Sequence, residues 1–303
     1  MVLIEIVLTI LGLLSLGILG KQVGLINSFR ADILNKLAFY VALPALIFNS
    51  VHKVSLGQIF SLNLTLGFWI GIFSTAALAF MFSRRISDNA SRSVSIVQSF
   101  HGNTGYMGLP VVAVVLGEIA GGQASMILGL TSPVQITLTM VILASMNSAN
   151  ADYRQGLKRI FLNPVLIALL LGIIFSYFNI PVPSIPAGAI SLLAELALPI
   201  ALFGAGASIE LKKPAGKFGM IVRALIFKLV AMPLIGLGIY SALGVEGTSL
   251  YVGLLMMAMP SAVSTYIYAR EFSGDENLAS LNISLTTLVS LVTISLIIFF
   301  ISP

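Results

Sequence analysis

Two short stretches hold most of the side chains that could touch a ligand. In HGNTGYMGLPVV (101–112), Asn103, Thr104 and Gly105 precede Pro110. In MAMPSAVSTY (257–266), Pro260 is followed by Ser261, Ser264 and Thr265. Their side chains are neutral donors and acceptors, and no carboxylate lies in 98–110 or 256–268. Such groups suit reversible binding. The chain has no cysteine and two histidines, and it lacks an HExxH stretch. Thiolate chemistry, Cys-ligated metal and zinc hydrolysis therefore have no residues to work with. No GxxxxGK[ST] loop is present either, so ATP does not drive the protein from within this chain. An enzyme is not expected, and neither a cofactor nor a metal site.

The glycines and prolines carry the physical argument. Proline removes a backbone donor and clashes with the preceding helical turn, and glycine loosens a helix. In hydrocarbon the freed N–H and C=O groups are tolerated only where protein, water or ligand satisfies them. The sequence predicts a break across 102–110 and another at Pro260, each near the centre of an apolar run. The half-helix after each break starts with unpaired N–H groups and about +0.5 charge. Two such ends converging would hold an anion, whereas the carbonyl ends of the preceding half-helices would suit a cation. One kink of this type commonly serves packing. A matched pair flanked by polar residues points to a site.

The surrounding chain must supply a membrane. Of 303 residues, 58% are hydrophobic and 9% charged, against about 25% charged in soluble domains. The net charge of +5 is scattered in short clusters, which does not suit nucleic acid. The N-terminus lacks a basic n-region and carries Glu5, so it reads as a retained first span. Runs of about 20 apolar residues give ten spans near 2–20, 33–51, 58–82, 90–117, 122–147, 160–178, 187–209, 217–243, 248–271 and 277–301. Connections after odd-numbered spans hold Lys21, Arg30, Lys36, Arg84, Arg85, Arg92, Arg154, Lys158, Arg159, Lys212, Lys213, Lys217 and Arg270. Those after even-numbered spans hold only Lys53. The positive-inside rule then puts the odd connections in the cytoplasm of a cell-membrane protein, with both termini outside.

ALPALIF (42–48) is answered by ALPIALF (197–203), and GLP (108–110) by AMP (258–260). The prolines are 66 residues apart in the first half and 61 in the second. The expected fold is therefore all-α, with two five-helix repeats at 1–150 and 151–303. An odd number of spans inverts the second repeat, the arrangement of secondary transporters with a midplane site.

Together, NKLAFYVALPALIFNSV (35–51), GNTGYMGLPVV (102–112), LALPIALFGAGASI (196–209), FKLVAMPLIGLG (227–238) and MAMPSAVSTYIYAREF (257–272) resemble the auxin efflux carrier family over nearly the whole chain. The resemblance implies ten spans in inverted repeats, a scaffold domain, and a transport domain with crossed, broken fourth and ninth helices. It assigns substrate binding to Asn103, in the stretch Asn103 to Pro110. The connection between the halves (148–159) is short, so the chain resembles a compact bacterial-type organic-acid permease, and auxin is not the expected substrate.

Four further residues are candidates for coupling or for lining the cavity. Gln98 and His101 lie about one turn from Asn103. Glu195 lies in the seventh span, where a carboxylate is costly. It reads either as a protonatable coupling group or as a glutamate holding two helices. Lys228 lies deep in the eighth span. It reads as a partner of Glu195, an internal counter-charge or a substrate contact. Glu118, Glu246, Asp275 and Glu276 read as solvated loop charges, and GAGAS (204–208) as a close-packing surface. The expected function is transport of a small organic anion, a carboxylate, by alternating access. A sodium-coupled bile-acid-type symporter or a cation/proton exchanger would share the architecture, and exchangers usually place carboxylates at the crossing. Coupling to H+ or Na+ stays open, as does a homodimer through the scaffold helices in the lipid bilayer.

Overall fold

A computed structural model describes residues 2–147, 161–209 and 216–301. The basic residues Arg154, Lys158, Arg159, Lys212 and Lys213, and the 148–159 connection, lie outside them. The described residues form helices and no strands. In chain order these are α1 (Val2–Gln22), α2 (Ser28–His52), α3 (Leu62–Phe82), α4 (Asn89–Phe100), α5 (Thr104–Leu116) and α6 (Glu118–Asn147). There follow α7 (Pro164–Tyr177), α8 (Ser184–Ser208), α9 (Phe218–Ala242), α10 (Gly247–Ala258), α11 (Ser264–Glu271) and α12 (Glu276–Ile301). Six helical segments among the described residues are long and apolar enough to cross a membrane: α2, Leu56–Phe82, α6, α8, α9 and most of α12. The apolar stretches Leu8–Gln22, α5, α7 and α10 are shorter. The chain is a multi-pass membrane protein.

Helix starts follow from local sequence. Asn27, Ser61, Asp88 and Asn163 each accept a bond from a first-turn amide of α2, α3, α4 and α7. The prolines explain the irregularities. Pro44, Pro110 and Pro233 each follow a π-turn: Ala38–Ala42, Thr104–Gly108 and Ile226–Ala231. A proline clashes with the carbonyl four residues back, here Tyr40, Tyr106 and Leu229, and all three lie inside those wider turns. Pro199 similarly disturbs α8 at Leu196, which lies between Ser184–Glu195 and Ala197–Ser208. Pro110 therefore sits inside a continuous helix and marks no break.

α1 lies along the second part of α8, and α2 packs on both α7 and α8. The GAGAS run makes the first of these contacts possible. A Cβ on Gly206 would strike the Leu14 backbone, and one on Gly17 the Phe203 backbone. The remaining helices form a second group, with α9 against α3 and α10, and α6 against α4 and α5. Fully buried Tyr240 of α9 fills the gap left by Gly67 of α3 and Gly253 of α10; its ring lies 2.5 Å from where either Cβ would be.

Asp275 is not a solvated loop charge. Its side chain is 9% exposed, pairs with Lys217, and accepts bonds from Ser91 Oγ at 2.5 Å and Leu278 N at 3.0 Å. It ties the starts of α4, α9 and α12 together. Burial pushes its carboxyl up, but the bonds from Lys217 and Ser91 prevail and hold it below the ordinary value.

Candidate functional site

The helical path is interrupted at His101–Asn103, between α4 and α5, and at Met259–Val263, between α10 and α11. The two interruptions touch. Gly102 and Ser261 form an antiparallel bridge in which Asn103 N donates to Pro260 O at 2.7 Å and Ala262 N to His101 O at 2.9 Å. Four helix ends thus meet, and each break supplies the partner for the other's freed backbone groups. That is how bare backbone is kept at this depth. The paired positions are Gly102 and Ser261, so the sequence equivalence of Pro110 with Pro260 does not mark equivalent points. Pro260 lies in its break, whereas Pro110 lies in the second part of α5, seven residues beyond Asn103.

Asn103 and Thr104 are buried, at 3% exposure each, where α5 begins. The Asn103 carbonyl takes the amides of Met107 (3.2 Å) and Gly108 (3.1 Å). The first amides of α5 have no carbonyl a turn behind them. Gly105 faces α6, with Leu128 at 3.7 Å from its Cβ position. On the other break, side chains are already committed. Ser261 Oγ donates to Gln98 O (2.9 Å), and Thr265 Oγ1 to Ala262 O (2.6 Å). Ser264 is half-buried at the start of α11.

The structure also fixes the four coupling or cavity candidates. Gln98 does not present itself to a cavity. Its Nε2 donates to Thr265 Oγ1 (2.9 Å) and Ala279 O (3.0 Å), and its Oε1 accepts from Asn282 Nδ2 (2.8 Å). It clamps α4 to α11 and α12. His101 Nδ1 bonds Thr139 Oγ1 of α6 at 2.7 Å. Glu195 does not pair with Lys228. Glu195 is exposed on α8, whereas Lys228 is wholly buried with its Nζ donating to Met257 O at 2.7 Å.

Two side chains missed in the sequence stand out on α6. Leu128 touches Gly105, and Thr139 bonds His101. Thr131 and Gln135 fall between them at helical spacing, on the same face of α6. Both are buried, and Thr131 Oγ1 and Gln135 Nε2 have no hydrogen-bond partner. Unsatisfied polar atoms at that depth are costly. The signal was present as T-x-x-x-Q-x-x-x-T (131–139), a polar stripe at i, i+4, i+8 on an apolar helix.

A cavity of about 380 Å³ opens beside the second break. α1, α2 and α8 form one wall through Lys21, Asn35 and Ser208; Val263 of the break, Ile267 of α11, and Ser284 and Thr287 of α12 form the other. It therefore separates the two helix groups and runs along the first half of α11, reaching Val263.

An all-helical, multi-pass chain with paired interrupted helices and a cleft between two helix groups belongs to the class of membrane transport proteins. The family model described as membrane transport protein, that of the auxin efflux carriers, matches residues 2–155 and 148–298, and the chain belongs to this family. An uncharacterized transporter of Methanocaldococcus jannaschii is 28% identical over 98% of both chains. A Rhizobium meliloti protein whose name proposes malonate transport is 26% identical over 95% of this chain and 92% of its own. Auxin efflux carrier component 6 of Arabidopsis thaliana is 28% identical over 57% of this chain and 32% of its own. The protein is a transporter, not an enzyme.

Proposed function

We propose that the protein carries a small organic anion across the cell membrane by alternating access, the anion resting where the fourth and ninth spans cross. The carrying observation is the Gly102–Ser261 bridge, which brings the first turns of α5 and α11 to one place. Those turns favour negative charge. The unpartnered Thr131 and Gln135 of α6 add donors. Six long segments and four shorter ones fit ten spans, with α4–α5 and α10–α11 each taken as one interrupted rod. In this reading the halves are inverted repeats, and both termini face outside. α1, α2, α7 and α8 are the scaffold, with any homodimer formed through it. The other group moves, and the 380 Å³ cleft is the cytoplasmic vestibule. The malonate named for the Rhizobium relative makes short carboxylates the first substrates to try. A cation as main cargo is disfavoured because the buried polar side chains among the described residues include Lys228 and no carboxylate.

The test is uptake of labelled mono- and dicarboxylates into proteoliposomes, with proton and sodium gradients imposed separately. Asn103→Ala should lower uptake of the accepted anion about tenfold or more, as expected for losing a bond to a charged ligand, while the variant elutes and melts like the wild type. Wild-type uptake by that variant removes the crossing as the site.

A further inference from the structure

Lys228 is the residue whose place in the fold the transport reading leaves unused. It is fully buried in the π-turn of α9, and among the described residues the one nearly buried carboxylate, Asp275, pairs with Lys217. Its Nζ donates to Met257 O (2.7 Å), in the last turn of α10, and contacts Met232 Sδ (3.1 Å). Both are acceptors. On its other side lies the first break: Cε and Nζ are 3.0 and 3.1 Å from where a Cβ on Gly102 would be. Gly102 is thus the position that gives the lysine head room, which explains a glycine there better than helix breaking alone.

The carbonyl end of a helix attracts cations. In carriers with discontinuous helices, such ends coordinate the coupling sodium. Here the carbonyl end of α10 already takes the Lys228 amine. The charges of the helix ends are instructive. Two N-termini at about +0.5 and two C-termini at about −0.5 nearly cancel. A protonated Lys228 would add one positive charge to the crossing, with no carboxylate paired to it among the described residues.

We propose that Lys228 is a tethered cation standing in the place of a coupling ion, and that the bound carboxylate is its counter-charge. This rests on the crossing being the anion site. One carboxylate group of the bound anion then offsets the lysine, and no sodium is needed to make the site attractive to it. The lysine reaches the anion through the shared break and the α10 end, so it acts as a positioning charge.

The experiment uses the full chain in proteoliposomes with labelled malonate. Wild-type uptake should be equal in sodium and in choline buffers. Lys228→Met should raise KM about tenfold or more, since a charged interaction is lost, with kcat less affected. Lys228→Ala should recover uptake when methylammonium, which can fill the vacated place, is added. Uptake by the wild type that disappears in choline would overturn the proposal, as would a Lys228→Met variant with the wild-type KM. Should Lys228→Met not fold, wild-type sodium dependence and methylammonium recovery of Lys228→Ala decide the matter. Asn103→Ala is run in parallel. If it loses uptake while Lys228→Met keeps the wild-type KM, only the lysine's role falls; if Asn103→Ala transports normally, the crossing itself falls.

Discussion

The two breaks are bonded to each other backbone to backbone, yet they are finished differently. The carbonyl end of α4 is met by a neutral hydroxyl, Ser261 Oγ on Gln98 O, and that of α10 by the Lys228 amine on Met257 O. Beside the first break, α6 carries Thr131 and Gln135 with unspent polar atoms. At the second, Ser261 and Thr265 are spent on neighbouring carbonyls, and the cleft reaches Val263. Approximate symmetry builds the meeting of four helix ends, and departures from it give the two breaks different polar surroundings. A fully symmetric pair would carry no net charge and would not choose between ligands of opposite sign.

Several substitutions break or sharpen this contrast. The largest effect is expected at the first break. Gln135→Leu with Thr131→Val should reduce anion uptake about tenfold or more, measured as kcat/KM in proteoliposomes. The pair should also melt no lower than the wild type, because it removes orphaned polar atoms. Substitution on the other side of the bridge should matter less. Ser261→Ala loses one neutral hydrogen bond, worth about 1 kcal/mol, so a stability loss of that order with uptake within about fivefold is expected. Gly253→Ala tests packing away from the crossing. Its Cβ would sit 2.5 Å from Tyr240, so it should cost about 1–3 kcal/mol of stability, read as a lowered melting temperature in detergent.

The smallest effect concerns pH. Asp275 has its carboxyl held below the ordinary value in the fold, by Lys217 and Ser91 against the opposing effect of burial. A carboxyl depressed in this way stabilises the fold above its unfolded value, about 3.9, and that contribution is lost as pH falls through the folded value. Asp275→Asn should therefore melt lower than the wild type at pH 7, and the gap should shrink in acid. A constant gap would remove the carboxylate's charge from the account.

How far the sequence reached differs by residue. Composition and apolar runs determined the membrane, because hydrocarbon admits only chains that satisfy their own backbone. The glycine and proline content of two stretches located the irregular backbone, and Asn103, Thr104, Pro260 and Ser261 do lie at or beside it. Pro110 was misplaced because a proline can be absorbed by a π-turn as well as by a break, and only packing chooses between them. Gln98 looked like a cavity residue because one helix face cannot reveal that Thr265 and Asn282, more than 160 residues away, consume its amide.

What the sequence determined by itself was the class of solvent, the interruptions and the absence of catalytic groups, since each depends on residue type and local spacing. Tertiary structure alone decided that Gly102 meets Ser261, that Lys228 serves the α10 carbonyl instead of Glu195, and that α6 buries two side chains with unsatisfied polar atoms. Those facts depend on which helices lie side by side. Spacing within one apolar rod carries little information about that, because lipid and protein neighbours are almost equally apolar.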